Sequence, residues 1–280
     1  MNSYTISNAL SIGYQQLKTC TNNYKNETLW IMSKILDLDL SQLILNQSNT
    51  LSNQNYKLFL NSINRRKNSE PIQHILNSQS FYGYDFSIKK DVFIPRPETE
   101  ISIDIIKKHI GHQEQILEIG CGSGCISIVL ELEKLASHIL SIDINHEAIG
   151  LAQLNAKKYN CNKIKFLNTD IFKMNHLNLY DMIISNPPYI PISEISKLSD
   201  EVKLYDPLSA LTDYDDGLLF YRYFAKMGQY LLKKRGYMLL EFGGFNQIEE
   251  LKIIFDYPNY NCTFFDDLNG APRFILIELL

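Results

Sequence analysis

No two cysteines in this sequence have CxxC spacing, and their number is odd: Cys20, Cys121, Cys125, Cys161 and Cys262. That pattern excludes a disulfide framework and suits reduced thiols in a cytoplasmic setting. The histidines show neither HxH nor HExxH spacing, so no metal site is expected. Runs of about 18 apolar residues, the length a membrane span needs, are missing as well. The longest candidate, Phe274 to Leu280, is strand-sized and carries Glu278. The opening residues lack a basic region followed by an apolar stretch, so no secretory signal is expected. Hydrophobic residues make up 45% and charged residues 21%, which argues against a disordered or fibrous chain. A length of 280 residues predicts one large domain or two unequal ones.

Excess basic charge is also absent where a nucleic-acid enzyme would want it. The formal net charge is −4. Residues 1–80 hold seven Lys/Arg against four Asp/Glu, a net of +3, which leaves −7 on the remainder. Phosphate neutralisation dominates nucleic-acid affinity, so an acidic catalytic half argues against direct nucleic-acid binding.

What is present is organised in three stretches. Residues 1–80 read as a helical domain: Leu29, Met32, Ile35 and Leu36 follow Thr28 at helical spacing, a second run spans Tyr56 to Ile63, and Pro71 can open a short helix. Residues 81–94 read as a β-hairpin linker, with Phe81 to Ile88 alternating, then Lys89-Lys90-Asp91, then Val92-Phe93-Ile94. From residue 95 to 280, strand-like and helix-like segments alternate. Strands are expected to begin at Ile116, His138, Ile164, Asp181, Gly236, Tyr260 and Phe274. That alternation predicts an α/β fold with a mainly parallel sheet covered on both faces.

The strand Ile116 to Ile119 runs into Gly120, Cys121, Gly122, Ser123 and Gly124, and a helix follows from Ile126 to Leu132. Glycines there allow a tight turn and close approach of a ligand. Nineteen residues beyond Gly124, the next strand ends at Asp143, whose carboxylate can accept both hydroxyls of a ribose. A dinucleotide and S-adenosylmethionine both suit such a site. The dinucleotide fingerprint, however, wants its third glycine where Cys125 stands, and S-adenosylmethionine has no pyrophosphate to cradle. After the third strand, Asp170 can hydrogen-bond an adenine amine and Phe172 can stack on the ring; equally, Asp170 can cap the following turn.

The fourth strand delivers Asn186-Pro187-Pro188-Tyr189 at the carboxyl edge, where α/β sheets bind ligands. Two prolines fix φ and remove two amide donors, so the loop is rigid and rich in acceptors. The Asn186 side-chain oxygen and the Pro187 carbonyl can each accept one hydrogen of a substrate –NH₂, while Tyr189 offers a flat face to the planar group that bears it. An amide nitrogen is a poor nucleophile because its lone pair is delocalised. Two acceptors that draw the –NH₂ toward tetrahedral geometry release that pair for attack on a methyl donor, and no strong base is needed.

With these residues the chain resembles class I methyltransferases of the Asn-Pro-Pro-Tyr type and, within them, the release-factor glutamine methyltransferases (the PrmC/HemK family). Three segments carry the resemblance: Phe93 to Glu100, Leu117 to Gly124, and Ser185 to Ile190. It implies a Rossmann-like methyltransferase domain with a seven-stranded sheet, preceded by a small helical domain that recognises substrate. It further implies S-adenosylmethionine held by Gly120 to Gly124, Asp143, Asp170, Phe172 and Asn186. Substrate contacts would fall at Asn186, Pro187, Pro188 and Tyr189, and the partner would be a peptide chain release factor, methylated on the glutamine of its Gly-Gly-Gln loop. Phe172 stands where some members have Trp, and Cys121 replaces a common Thr. The same tetrapeptide serves adenine-amine methyltransferases of DNA and RNA, the alternative reading. In the Pro95 to Glu100 segment, the prolines hold the chain extended. Thr99 is expected to cap a helix running to His109, and the segment to serve either as a wall of the substrate cleft or as a hinge.

Overall fold

The computed structural model describes residues 4–174 and 179–280. Its helices are α1 (Ile6–Leu17), α2 (Tyr24–Leu36), α3 (Leu40–Leu45), α4 (Asn53–Lys67), α5 (Ile72–Leu76), α6 (Ile101–Ile105), α7 (Cys125–Leu132), α8 (His146–Lys158), α9 (Asp200–Tyr205), α10 (Leu208–Leu211), α11 (Leu219–Leu231) and α12 (Ile248–Ile254). Its strands are β1 (Ser78–Phe81), β2 (Tyr84–Ser87), β3 (Gln113–Ile119), β4 (Ala136–Asp143), β5 (Ile164–Asn168), β6 (Tyr180–Ser185), β7 (Leu232–Glu241), β8 (Tyr260–Asp266) and β9 (Pro272–Leu279). The chain divides into two compact units, Met1–Ser78 with Asp200–Tyr205, and Gln79–Ser199 with Asp206–Leu280.

The first unit is helical. Thr5, Asp39 and Ser52 cap α1, α3 and α4 through side-chain oxygens, and Asp39 with Gln42 forms a capping box. Pro71 stands just before α5 as expected, but Thr28 lies inside α2 rather than before it. Its hydroxyl donates to the Tyr24 carbonyl at 2.7 Å, which lets a polar side chain sit in the core. Leu10, Leu17, Ile31, Met32, Phe59 and Ile63 build that core. One buried ion pair completes it: Arg66 Nε donates to Glu27 Oε2 at 2.7 Å, and the same guanidinium reaches Glu201 of α9 at 3.0 Å.

In the second unit the hairpin pairs β1 with β2, and its turn is Tyr82-Gly83, both at positive φ. The expected pairing of Phe81–Ile88 with Val92–Ile94 is therefore corrected. Two residues at positive φ make the tight turn whose twist matches flanking strands, which moves the hairpin upstream. Val92 and Ile94 are buried instead in an irregular segment.

The main sheet has seven strands in the order β5-β4-β3-β6-β7-β9-β8. All seven expected strands exist, with starts shifted by up to four residues. β9 alone runs opposite to the other six strands, so its pairings with β7 and β8 are antiparallel and the rest are parallel. Alternate residues feed opposite faces: Leu117, Ile183, Met238 and Ile275 join one core with α11 and α12, while Ile116, Met182, Leu239 and Phe274 join another with α6 and α7. The sheet is covered on both sides, as near-continuous apolar strands require.

Gly13 of α1 faces α2 and α4. A Cβ there would lie 2.6 Å from Thr28 Cγ2 and 2.9 Å from Phe59 Cζ. Alanine would raise helix propensity by about 1 kcal/mol, but overpacking costs about 1–3 kcal/mol. Gly13→Ala should therefore destabilise the helical unit, seen as faster amide exchange across α1, α2 and α4. Slower exchange would mean that this helix crossing has room to spare.

Candidate active site

Strand β3 lies between β4 and β6 with all three parallel and their carboxyl ends level: Ile119 is paired with Ile142 on one side and with Ser185 on the other. The chain visits β4 and β5 on one side of β3, then crosses to β6 on the other. The loops after β3 and β6 thus flank the crevice where the strand order reverses. Hydrogen bonds fix the alignment. Gly120 N donates to Ile142 O at 2.8 Å, and Ser185 Oγ donates to Ile119 O at 2.7 Å.

The resulting cavity is lined by Gly120, Cys121, Gly122, Ser123, Asp143, Asp170, Phe172, Asn186, Pro187 and Pro188 among the expected residues. Gly120 and Gly122 have positive φ. A methyl group added at Gly120 would sit 3.8 Å from the Asn186 carbonyl oxygen, so the glycine loop and the Asn-Pro-Pro-Tyr loop adjoin each other. Asp143 Oδ2 accepts from Gly122 N at 2.9 Å and Oδ1 from Asn145 N at 2.8 Å. Each oxygen keeps capacity for one hydroxyl donor. Burial pushes the Asp143 carboxyl up, and these two backbone N–H groups pull it back down. The exposed Phe172 ring is braced by Phe220 and Tyr223, with centroids at 5.1 Å and 4.9 Å.

Two expected cofactor residues behave differently. Gly124 does not line the cavity; it starts α7 at positive φ, where a Cβ would lie 2.9 Å from Ala152 Cβ, so its small size serves helix packing. Asp170 does line it, but its Oδ1 accepts from Phe172 N at 3.0 Å, which makes it the cap of the short turn Ile171–Lys173. Cys121 is buried, and desolvation raises its thiol well above the ordinary value, which keeps it protonated.

Tyr189 lies beside the cavity wall rather than in it. Its carbonyl accepts from Gln247 Nε2 at 3.0 Å, and Ile190 N donates to Leu211 O at 2.9 Å. Gly217, at φ +80°, passes so close that a Cβ would fall 2.3 Å from the Tyr189 oxygen. The Asn-Pro-Pro-Tyr loop is thereby clamped from outside. Burial raises the Tyr189 hydroxyl pKa, so it stays neutral.

For the Pro95 to Glu100 segment the structure favours the first of its two expected roles, and it adds Glu118 and Glu241, which sequence reasoning missed. Phe93, Pro95, Arg96 and Thr99 line the cavity, so this segment is a wall of the cleft. Arg96 pairs with the buried carboxylate of Asp206 and stacks over Phe93 at 4.8 Å. Thr99 caps no helix. It sits in the turn Pro97–Glu100, which leads into α6 and a wider turn over Ile106–Ile110, and its hydroxyl donates to Glu241 Oε2 at 2.7 Å. Asn186 Nδ2 donates to the same hydroxyl oxygen at 3.2 Å. Glu118, buried under α7, accepts from Ser141 Oγ at 2.8 Å, while its Oε1 makes no hydrogen bond. A lone acid inside an apolar strand was the available signal for both Glu118 and Glu241.

Fold and cavity together define a class I methyltransferase. A methyltransferase from Pyrococcus furiosus has the same fold, with a TM-score of 0.54 at 16% identity over 82% of this chain and 98% of that one. Residues 8–76 match the PrmC N-terminal domain model, and residues 97–199 match the methyltransferase small domain. Release factor glutamine methyltransferases align along most of the length. The protein from Geobacter sulfurreducens is 32% identical over 90% of this chain and 89% of its own. The Fusobacterium nucleatum protein is 35% identical, covering 90% and 72%, and the Bacillus cereus protein 32% identical, covering 89% and 90%. The chain belongs to the release factor glutamine methyltransferase family.

S-adenosylmethionine is the cofactor of such an enzyme, and the residues present fit it. Asp143 keeps two acceptor positions, and the buried Ser123 hydroxyl in the cavity wall makes no hydrogen bond. Among the described residues, no group of three His, Cys, Asp or Glu side chains could hold a metal, and no helix is long and apolar enough to cross a membrane.

Burial lifts Glu118 from an ordinary 4.5 to about 7, against the pull of Ser127 and Ser141. Between those values the folded state holds more protons than the unfolded one, so stability falls as pH rises through this window, and the loss is complete above it. Glu118→Gln should therefore stabilise the cofactor-free protein by about 2–3 kcal/mol at pH 8 and by little at pH 5. Thermal unfolding at the two pH values checks this; equal shifts at both would mean that Glu118 carries no buried charge.

Proposed function

We propose that the protein transfers the methyl group of S-adenosylmethionine to the side-chain amide nitrogen of a glutamine in a peptide chain release factor, the glutamine of its Gly-Gly-Gln loop. One observation carries the reading: Asn186, with its amide nitrogen engaged by Thr99, shares a cavity wall with the glycine loop and Asp143. When bound, the cofactor supplies an electrophilic methyl group on a sulfonium. Gly120, Gly122, Asp143 and Phe172 would hold its adenosyl part, with Asp143 accepting from the ribose hydroxyls.

The chain's own residues then act on the glutamine. Asn186 Oδ1 and the Pro187 carbonyl accept the two amide hydrogens and Pro188 shapes the pocket, while Tyr189, clamped from behind, keeps the loop at the right depth. Nitrogen gains the methyl and sheds one proton to solvent, while the positive charge leaves the sulfonium. Positioning and fixed dipoles supply the acceleration, and no side chain acts as a strong base. Residues 1–80 serve as the module that recognises the protein substrate, and 81–94 as the linker. The similar names of relatives from three bacterial genera support a protein rather than a nucleic-acid substrate, as does the acidic balance of the catalytic half.

Labelled S-adenosylmethionine incubated with a release factor or with total nucleic acid tests the reading. Label should appear on the factor, and mass spectrometry should place one methyl on a glutamine side chain. Methylation of adenine alone would overturn it. Asn186→Ala should lower kcat by about 10²-fold or more, the scale of losing one preorganised dipole. Asp143→Ala should weaken cofactor binding by about 1.5–3 kcal/mol, as expected for a charged acceptor; unchanged calorimetric affinity in a folded variant would remove Asp143 from the site.

A further inference from the structure

We propose that Thr99 and Glu241 are positioning residues that dictate which end of the Asn186 amide faces the cavity. The inference rests on the functional reading above. It follows from the proton inventory of three groups. A carboxylate only accepts, so the Thr99 hydroxyl must give its one proton to Glu241 Oε2, at 2.7 Å. The Thr99 oxygen is then an acceptor toward Asn186, and only the –NH₂ end of that amide can meet it, at 3.2 Å. Oδ1 is turned away, toward the position where a substrate –NH₂ needs an acceptor. With the amide reversed, two –NH₂ groups would face each other and the substrate nitrogen would lose its orienting bond.

The arrangement is buried behind the cavity wall. Glu241 is 2% exposed and Thr99 is 4% exposed. The Glu241 backbone is fixed by pairing with Phe274 and by the Tyr221 hydroxyl, which donates to its carbonyl at 2.6 Å. Burial lifts the Glu241 carboxyl to about 7, and Glu98 pushes the same way. The Thr99 hydroxyl, the Arg273 guanidinium and the Asn186 amide hold it down. Tyr189 and Tyr221 also face it, and burial keeps both phenols neutral.

A proton on Glu241 would reverse the relay. The carboxylic acid would donate to Thr99, Thr99 would donate to Asn186, and the amide oxygen would turn inward. Activity should therefore fall as pH drops through the range where Glu241 protonates, with the cofactor still bound.

The full-length protein with Thr99→Val, Thr99→Ser and Glu241→Gln tests the inference. Thr99→Val keeps the shape and removes the hydroxyl. Its kcat on a release factor should drop by about 10-fold or more, approaching the loss of a single oriented dipole, with KM and calorimetric cofactor affinity within about threefold. Thr99→Ser should recover most of the rate. The acidic limb of the kcat–pH profile should be present in the parent protein and in Thr99→Ser, and absent in Thr99→Val and Glu241→Gln. A readout independent of the substrate is the ¹⁵N side-chain –NH₂ resonance of Asn186, assigned by its loss in Asn186→Asp. It should shift strongly on titration of the parent protein and by much less on titration of Thr99→Val, where only the direct influence of Glu241 on the amide is left. A parent protein that leaves release factors unmethylated would overturn the functional reading, and the resonance would still decide the positioning role. Wild-type kcat and pH profile in Thr99→Val, or Thr99→Ser as impaired as Thr99→Val, would overturn the positioning role itself.

Discussion

The level carboxyl ends of β4, β3 and β6 are the constraint on which the site depends. Parallel strands in register deliver their following loops to the same edge, and here Ile142, Ile119 and Ser185 share one row. Because β3 is central and the chain crosses it between β5 and β6, the glycine loop and the Asn-Pro-Pro-Tyr loop are neighbours, although more than sixty residues separate them. A slip of one residue in either pairing would exchange the two faces of a strand. Glu118 would then point into the core with Leu117 and Ile183, and a slip between β3 and β4 would take the Gly122 donor away from Asp143. Each face is packed against its own helices, α11 and α12 on one side and α6 and α7 on the other, so exchanged side chains would misfit both cores, and core packing and site geometry have one origin.

Much of this was legible in the sequence because the signals were local. Each of the seven strands contains a short apolar run, and the glycine motif and the Asn-Pro-Pro-Tyr motif each lie within a few consecutive residues. What stayed hidden was the pairing of distant groups. Thr99 and Glu241 are 142 positions apart, and nothing in either neighbourhood names the other. Thr99 followed by a helical pattern resembles a capping threonine, yet tertiary contact with a buried acid outweighed the local role. Thr28 illustrates the same competition: its hydroxyl bonds back to Tyr24 inside α2, so the helix begins earlier than the residue type suggests. Gly124 looked like part of a ligand cradle because it belongs to the glycine series. Only the position of Ala152 shows that its lack of a Cβ admits a helix. The hairpin was misplaced because Tyr82 takes positive φ, which its side chain does not advertise.

Glu118 and Glu241, 1% and 2% exposed, are the most deeply buried carboxylates described in the second unit, and each directly follows a run of Ile, Leu or Met. Isolated charges in such surroundings are costly, and the usual response is a raised pKa. Both groups respond that way, to about 7, yet neither has a basic side chain as hydrogen-bond partner. Their neighbours are hydroxyls instead: Ser141 for Glu118 and Thr99 for Glu241. A hydroxyl leaves the charge only partly compensated, whereas a salt bridge would neutralise it. In the apolar interior of this sheet, such sites are difficult to explain as devices for stability, since a well-packed hydrophobe of similar volume is often as stable or more so.

The chemistry proposed above gives that uncompensated charge a use. During methyl transfer to an amide, positive charge builds on the attacking nitrogen, so acceptors aimed at its hydrogens bind the transition state more tightly than the ground state. An aspartate in place of Asn186 would supply more negative charge, but it would also pair with the cationic donor before reaction and stabilise the ground state. A neutral amide backed by a carboxylate through one hydroxyl avoids that. Glu241 polarises Thr99, Thr99 polarises the Asn186 amide, and each bond in such a chain strengthens the next. The charge stays buried behind the wall, where it would not pair with a bound sulfonium, while its effect would arrive at Oδ1 as a stronger dipole. The threonine is thus more than a spacer: its single proton converts the sign of a buried charge into the direction of an amide.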